Sequence, residues 1–319
     1  MKAIYKRELK AYFHSMTGWL FLAANIFLSG LYFFALNLRF GYSSLANTIY
    51  NILFLLLITI PILTMRMVSE ERRQKTDQLI LTSPVSVGRV VLGKYLAAAS
   101  IFTLSTLVIA AYPLILSRFG AVSMGESYTA LLAYYLYGLT CIAIGLFISS
   151  VTESQVIAAV LSFGALFLGY MMGSITGLIS STGNLFTRIL NVYDMTSRLE
   201  DMMQGSMELK SVLYFLTYIL VFLFFTVQSV QKRRYQVSVK SLQMGAYSTG
   251  MIAVAVAAAV FLNLAAAELP SRFTTFDMTS QKLYSLTETS QELVKNLTED
   301  ITVYVLQSEE KQEIGRAHV

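Results

Sequence analysis

Apolar runs of about 20 residues recur along the chain and are separated by short polar or charged segments. A helix of that length is long enough to cross the roughly 30 Å hydrocarbon core of a bilayer. The pattern therefore predicts an all-α integral membrane protein. The predicted spans are residues 17–38, 45–65, 90–116, 128–150, 155–180, 211–230 and 247–266.

The overall composition agrees with this pattern. Hydrophobic residues make up 55% of the 319 residues and charged residues only 13%, with a mean hydropathy of +0.59, whereas a soluble domain has about 25% charged residues. The net charge of +5 could indicate a nucleic-acid-binding protein. The cations flank the apolar runs, however, and form no separate basic domain. We therefore expect a lipid bilayer, and no nucleic acid, as the partner.

The distribution of Lys and Arg predicts the orientation of the chain, because cytoplasmic segments of membrane proteins carry an excess of these residues. Segments 2–10, 66–94 and 232–240 together carry 14 of the 24 Lys and Arg residues. The intervening loops before the seventh predicted span carry Arg39, Arg118, Arg188, Arg198 and Lys210. We therefore expect a cytoplasmic N-terminus and an extracytoplasmic segment after the seventh span.

The N-terminal stretch AIYKRELKAYFH predicts a short amphipathic helix. Tyr5, Leu9 and Tyr12 recur at helical spacing, while Lys6 and Arg7 face elsewhere. Such a helix can lie in the membrane interface before the chain turns into the bilayer. A simple basic flank that sets the topology is the alternative.

One short segment imitates a nucleotide-binding loop. The stretch from Gly88 to Lys94 satisfies G-x-x-x-x-G-K, but Tyr95 follows it where Mg²⁺ coordination needs Ser or Thr. No buried strand precedes the segment, and the phosphate-binding helix would be a membrane span. We interpret Lys94 instead as a side chain that holds the cytoplasmic interface at the start of the third span.

No catalytic or metal-binding constellation stands out. The two histidines, His14 and His318, lie at opposite ends of the chain, and the single cysteine, Cys141, lies in the fourth span. The spans carry almost no ionisable residues, which an ion-coupled transporter usually places within the bilayer. We therefore expect no enzymatic activity, no metal and no cofactor in this chain, and an energy source elsewhere.

The segment Met67–Lys94 joins the second and third spans and carries a dense group of charges. Ser69 can cap a helix whose first turn holds Glu70 and Glu71. Pro84 disfavours helical geometry at the residue before it. The pattern predicts a short helix from Ser69 to about residue 82, tied to the membrane at both ends. An ordinary charged loop is the alternative.

The same segment, SEERRQKTDQLILTSPVSVGRVVLGK, resembles the first cytoplasmic loop of ABC-2-type permeases, in particular the gliding-motility-associated GldF-like group. The matching residues are Ser69, Glu70, Glu71, Thr76, Leu79, Leu81, Thr82, Ser83, Pro84, Val85, Gly93 and Lys94. Asp77 stands where Glu is common, and Lys75 replaces the usual Gly before Thr76. The resemblance covers about residues 1–230.

This resemblance implies a bacterial plasma-membrane permease with a six-span bundle, which forms a homodimer or pseudo-dimer and docks separate ABC ATPase subunits. The short loop helix of that family enters a groove on the ATPase, and the N-terminal segment is an interfacial elbow helix. The implied coupling residues are Glu70, Glu71, Arg72, Arg73, Thr76, Asp77 and Leu79. The implied elbow residues are Tyr5, Lys6, Arg7, Leu9 and Tyr12. ATP and Mg²⁺ are expected on the partner ATPase, and this chain is expected to bind no cofactor.

A second resemblance begins after the seventh predicted span. Residues 276–297 resemble the start of a GldG-like auxiliary domain, which is an extracytoplasmic α/β domain that follows one span. The matching residues are Asp277, Thr279, Lys282, Tyr284, Ser285, Leu286 and Thr289. The local pattern predicts a helix at 285–297 and a strand at 301–306. One helix and one strand cannot enclose a core, so we expect the chain to stop inside this domain.

These observations divide the chain into four predicted parts. Residues 1–235 form the ABC-2-type permease domain, and residues 236–266 form a basic connector and the seventh span. Residues 267–312 form the truncated start of the GldG-like domain. Residues 313–319 can be back-translated into a DNA sequence that resembles a sequencing adapter. We therefore expect this tail to be non-native.

Two functions are expected from the sequence. The first is the membrane-spanning permease subunit of an ATP-driven ABC transporter, an exporter that couples ATP hydrolysis by separate ATPase subunits to transport. The second is a mechanotransmission or scaffold complex, in which ATP hydrolysis inside makes the outer domain act on cell-envelope components and no substrate crosses.

Overall fold

The computed structural model describes residues 1–78, 85–179, 187, 190–232, 239–267 and 274–279, and it is mostly helical (83%). In chain order the helices are α1 (Lys2–His14), α2 (Met16–Tyr32), α3 (Ala46–Thr64), α4 (Ser69–Arg73), α5 (Val87–Ile109), α6 (Tyr112–Leu116), α7 (Met124–Val151), α8 (Gln155–Ile179), α9 (Met195–Met203), α10 (Leu209–Lys232) and α11 (Val239–Ala267). A π-helical segment (Phe33–Arg39) continues α2, and a 3-10 turn (Asn191–Tyr193) precedes α9. Strands β1 (Ser206–Glu208) and β2 (Thr275–Asp277) pair antiparallel.

Six helical stretches in the described part of the chain are long and apolar enough to cross a membrane. They are Met16–Arg39, Ala46–Arg73, Val87–Leu116, Met124–Val151, Gln155–Ile179 and Leu209–Lys232. A helix satisfies its backbone hydrogen bonds internally, as the hydrocarbon core requires. The first six predicted spans are therefore confirmed as apolar helices of membrane-spanning length.

The seventh predicted span, residues 247–266, falls on α11. The apolar part of α11 among the described residues, Gly250–Ala266, is shorter than the other six stretches and shorter than the ~20 residues that a crossing normally takes. The structure therefore supports six membrane-length stretches among the described residues, and the seventh crossing stays a prediction.

Helix α7 lies at the centre of the bundle. It contacts α3, α5, α8, α9 and α10. In its most apolar 18-residue stretch 72% of the residues are buried, against 22% in the corresponding stretch of α8. Two glycines allow this close packing, since Gly138 lies against the ring of Phe102 on α5 and Gly145 against Thr64 on α3. A Cβ atom on Gly145 would lie 3.0 Å from Thr64 Cβ and closer still to Thr64 Oγ1. Small residues of this kind bring membrane helices together.

The bundle has two chemically different ends. The charged end consists of α1, residues 65–78 and the turn at residues 152–154 between α7 and α8. The far end consists of residues 40–45, residues 117–123, α9 and the two strands. Helix α10 starts directly after β1 at the far end, and α11, which packs beside α10, leads to β2 at the same end.

Three predicted features fall outside the residues that the structure describes. They are the helix at 285–297, the strand at 301–306 and the tail at 313–319. Of the predicted GldG-like segment at 267–312, the structure describes only residues 267 and 274–279, which include β2.

Candidate functional site

The predicted coupling segment lies at the charged end and is attached there to three other elements. Helix α4 follows α3 after a short turn. Its Glu71 side chain meets α1 and α5, and its Arg72 side chain meets the end of α7. The segment is thus held by side-chain contacts as well as by its own chain connections.

Lys94, in the second turn of α5, is the centre of these contacts, and its side chain is only 3% exposed. The Nζ atom lies 2.8 Å from Oε1 of Glu71 on α4 and 3.1 Å from Oε1 of Glu8 on α1. It also donates a hydrogen bond of 2.8 Å to the carbonyl of Met67. A buried ammonium group needs such partners, because an unpaired charge in the interior costs several kcal/mol. The interpretation of Lys94 as an interfacial anchor is therefore wrong: it joins α1, α4 and α5.

Arg7 approaches the same two carboxylates from the solvent side. Its Nη2 atom lies 2.5 Å from Oε1 of Glu8 and 2.9 Å from Oε1 of Glu71. The Arg7 side chain is 56% exposed, so solvent weakens these ion pairs relative to those of Lys94. Arg7 and Lys94 together neutralise the two carboxylates.

Glu70 has a different partner within its own segment. It accepts hydrogen bonds of 2.9 and 3.1 Å from the guanidinium of Arg66, four residues earlier. Both side chains are partly exposed to solvent. An exposed pair at this spacing stabilises a helix by a few tenths of a kcal/mol, so Glu70 supports the start of α4 locally.

Ser149 fastens the start of α4 to α7. Its Oγ atom accepts hydrogen bonds of 3.2 Å from the backbone N–H groups of Val68 and Ser69. The same hydroxyl lies 3.2 Å from the carbonyl of Met65 and donates to it. Two N–H groups that a helix start leaves without intrahelical partners are thus satisfied by the neighbouring helix. The side chain of Ser69 itself donates back to Met65.

Arg72 fastens the other side of α4 to the end of α7. Its guanidinium donates to the carbonyl oxygens of Ser150 and Val151, in the last turn of α7. It also lies 3.2 Å from the carboxylate of Glu153, in the turn that follows. A cation at a helix C-terminus satisfies free carbonyls and interacts favourably with the helix dipole. Arg72 therefore links α4 to the α7–α8 turn.

Helix α4 ends much earlier than the sequence predicts, at Arg73 instead of residue 82. Lys75 adopts a left-handed conformation with φ of 56°, and two backbone hydrogen bonds reach back from the end of the helix. Thr76 N–H donates to Glu71 at 2.9 Å and Lys75 N–H donates to Arg72 at 3.1 Å. This is a Schellman cap, whose left-handed position is usually glycine. The predicted continuous helix is therefore wrong.

The predicted coupling residues differ in the contacts that they make within the protein. Glu70, Glu71 and Arg72 make the contacts described above, and Thr76 donates its hydroxyl to the Glu71 carbonyl at 3.3 Å. Arg73 is exposed, and the described part of the chain offers it no ion-pair partner. The two other members are Asp77, which is partly buried, and Leu79, which lies outside the described residues.

The predicted elbow residues lie on α1, which packs along α5. The Tyr5 hydroxyl is 2.9 Å from the hydroxyl of Ser100, and Leu9 packs against the core. Tyr12 is buried and donates a hydrogen bond of 3.1 Å to the Leu63 carbonyl; burial raises the pKa of its phenol. Lys6 is exposed. The predicted helix is thus present, and its role as an interfacial elbow stays a prediction.

Sequence reasoning missed three residues of this site. No sequence pattern marks these residues. Glu8 lies in a basic helix, and Ser149 and Glu153 lie at the end of a predicted span. The only available signal was the position of Lys94 within an apolar run, which favours an internal partner when the side chain cannot reach water. The described residues contain no group of three or more His, Cys, Asp or Glu side chains placed to hold a metal ion.

Comparison with known proteins supports a membrane transport role. A family model described as "ABC-2 family transporter protein" matches residues 36–267, which include α3 to α11 in full. A search of curated proteins found no match.

Proposed function

The chain belongs to the ABC-2 family of transporter proteins, and on this premise we propose that it couples ATP hydrolysis by separate ATPase subunits to export across the bacterial plasma membrane. Family membership and the six apolar helices make it a multi-pass membrane permease subunit and not an enzyme. The family implies association with an ABC ATPase subunit. ATP and Mg²⁺ would bind to that partner.

The observation that carries this proposal is the attachment of α4 to three parts of the bundle. Lys94 and Arg7 pair with Glu71 and so link it to α5 and α1, and Ser149 links it to α7. A force applied to residues 73–76 would therefore move several packed helices together, instead of bending an isolated loop. Such movement of packed helices is a known way to switch between two arrangements.

Finer assignments rest on the sequence. We place the charged end in the cytoplasm because segments 2–10 and 66–94 carry ten Lys and Arg residues, an excess that is typical of cytoplasmic segments. We assign the chain to the GldF-like group on the loop sequence, and residues 276–297 to the start of a GldG-like extracytoplasmic domain. Two permease chains, or one chain and a homologue, would pair around two ATPase subunits.

Charge reversal of Arg73 tests the coupling role without disturbing the buried ion pairs. In vesicles that contain the permease and its ATPase subunit, Arg73→Glu should lower the permease-dependent stimulation of ATP hydrolysis by about tenfold. The expected size corresponds to about 1.4 kcal/mol, as for a lost or reversed charge contact at a protein interface.

Lys10→Glu is the matched control, since Lys10 is an exposed cation on α1 at the same end of the bundle. We expect this variant to retain stimulation. If Arg73→Glu inserts into the membrane and stimulates hydrolysis like the wild-type chain, residues 73–76 do not contact the ATPase.

Force transmission without transport is the second candidate. It is favoured by the link between the segment after α11 and the bundle: Met278 N–H donates to the Gly205 carbonyl at 2.9 Å, next to the β1–β2 pair. Motion of the bundle would thereby reach any domain beyond β2. ATP-dependent distance changes between spin labels at Ser43→Cys and Phe276→Cys, with no solute or lipid crossing the vesicle membrane, would favour this candidate over export.

A further inference from the structure

A cleft of about 320 Å³ lies between α10 and α11 and reaches the 3-10 turn before α9. One stripe of α10 lines it, with Lys210, Tyr214, Tyr218 and Phe222 at intervals of four residues. Residues at this spacing share one face of a helix. On α11, Val256, Val260 and Leu264 repeat the same spacing. The cleft therefore runs along the two helices as a long, narrow groove.

The groove has a polar end and an apolar end. Arg198, Lys210 and Asn263 line it near the far end of the bundle, whereas Phe225 and Val256 line it deeper toward the middle. Lys210 and Phe225 lie 15 positions apart on α10, which corresponds to roughly 22 Å at 1.5 Å per residue. The groove thus has the dimensions and polarity of an amphiphile with one extended chain.

Arg198 provides a positive charge at the polar end. Its guanidinium carbon lies 5.9 Å from the centroid of the Tyr214 ring. No ion pair of Arg198 occurs among the described residues, whereas Lys210 pairs with Glu208 at 2.9 Å. The nearby carboxylate of Asp194 is occupied as the N-cap of α9, where it accepts from two backbone N–H groups. The Arg198 charge is therefore available to an anion.

Asn263 adds a second polar group to this end. Its Nδ2 atom donates a hydrogen bond of 2.9 Å to the Ala259 carbonyl. This bond does not use the side-chain oxygen, which can therefore accept a hydrogen bond from a ligand hydroxyl. An amide among Ala, Val and Leu residues is costly in an apolar helix. Its place on the groove indicates a polar ligand there.

We propose that this groove binds an anionic phospholipid from the surrounding bilayer, with one acyl chain between α10 and α11 and its headgroup at Arg198. The outer flanks of both helices carry large exposed apolar residues, including Leu220 and Phe261, so hydrocarbon surrounds the opening in a membrane. A lipid can therefore enter sideways, and its negative headgroup complements the charge of Arg198.

A single hydrocarbon chain is narrow enough to lie in the groove, and it would contact the Tyr214, Tyr218 and Phe222 side chains along its length. The proposal depends on membrane embedding and on neither the direction of transport nor the docking of an ATPase.

Native mass spectrometry of the full chain in detergent tests the proposal. The delipidated protein is titrated with phosphatidylglycerol, which is anionic, and with phosphatidylcholine, which has no net charge. We expect tighter binding of phosphatidylglycerol, and Arg198→Gln should weaken it about five- to tenfold, as for the loss of one cation near a lipid headgroup. Phosphatidylcholine binding should change little.

Two further variants separate the groove from general surface effects. Arg118→Gln removes another exposed cation at the far end and should leave both affinities unchanged. Ala259→Trp fills the groove and should weaken binding of both lipids. Equal phosphatidylglycerol affinity in wild type and Arg198→Gln, or an equal loss in Arg118→Gln, would overturn the proposal.

A photocrosslinking amino acid in place of Val260 identifies the occupant directly in membranes. Covalent capture of phospholipid supports the proposal. Capture of a second copy of this chain, or of another protein, shows that a protein covers the groove and overturns it.

Discussion

At the residue scale, one ammonium group serves three acceptors at the charged end. Lys94 meets the carboxylates of Glu8 and Glu71 and the carbonyl of Met67 while its side chain is 3% exposed. Burying these charges is favourable only because each has a partner.

Removal of the Lys94 charge should therefore be strongly destabilising. Lys94→Met leaves two carboxylates close together and only the exposed Arg7 to neutralise them, so we expect a loss of about 3 kcal/mol in unfolding free energy. Denaturant unfolding in detergent micelles measures this loss. Additional replacement of Glu8 and Glu71 by Gln should restore part of it, because the uncompensated charge is then gone.

Lys10→Met provides the comparison for this experiment, because Lys10 is exposed on α1. It should change the unfolding free energy by less than about 0.5 kcal/mol. If Lys94→Met were as mild as Lys10→Met, the buried ion pairs would not hold the three helices together.

Glu71 shows how a motif residue can acquire a role inside the protein. The family resemblance assigns it to ATPase docking, and that assignment stays a prediction. In the structure its carboxylate faces Lys94 and Arg7, so a charge reversal at Glu71 would disturb the bundle as well as any docking contact. Arg73 is the better residue for testing docking alone.

At the element scale, α7 organises the bundle through close contacts with its neighbours. Its two tight glycines, Gly138 and Gly145, are seven residues apart and so lie on one face. Gly138 accommodates an aromatic ring of α5, and Gly145 accommodates a threonine of α3. The helix can pack this closely only where the side chain is absent.

Gly145→Ala should destabilise the protein by about 1–3 kcal/mol, as other substitutions that overfill a packed core do. The added Cβ would lie 3.0 Å from Thr64 Cβ and would overlap with Thr64 Oγ1. Thermal unfolding in detergent measures the effect, and Thr64→Ala in the same chain should relieve part of it.

Gly164→Ala is the matched control on α8, since no atom of another described segment lies within 4 Å of the position that its Cβ would take. Alanine favours helix over glycine by up to about 1 kcal/mol, so this variant should be neutral or slightly stabilising. If Gly145→Ala and Gly164→Ala changed the stability equally, helix propensity and not packing would account for both effects.

At the scale of the whole molecule, hydrogen bonds join the segments of the far end. Leu45 N–H donates to the Ser127 hydroxyl at 3.1 Å, and Met278 N–H donates to the Gly205 carbonyl at 2.9 Å. Residues before α3 and after α11 thus lie at the same end of the bundle, opposite α4. We therefore expect the two ends to face different compartments in a membrane.

Cysteine labelling tests this arrangement in intact cells. The only natural cysteine, Cys141, is fully buried, so an introduced thiol gives the signal. A membrane-impermeant maleimide should label Ser43→Cys and Phe276→Cys from outside, and Gln74→Cys only after permeabilisation. Labelling of Phe276→Cys together with Gln74→Cys would contradict both the shared far end and the seventh crossing.

The six apolar runs of about 20 residues were sufficient to predict the six long helices. A run of that length in hydrocarbon must satisfy its own backbone hydrogen bonds, and a helix does so. The loop motif determined the family, and the amphipathic pattern determined α1. The end of α4 was not predictable in this way, although the replacement of Gly by Lys75 was visible. A left-handed lysine depends on the two cap hydrogen bonds around it and not on local preference.

Only the tertiary structure decided which charges face inward. The sequence placed Lys94, Glu8 and Glu71 in three separate segments, and no spacing rule relates residues on different helices. Packing of α1 against α5 and of α4 against α7 and α8 brings both carboxylates within 3.1 Å of the Lys94 ammonium group. Once these groups are out of water, each must find a partner.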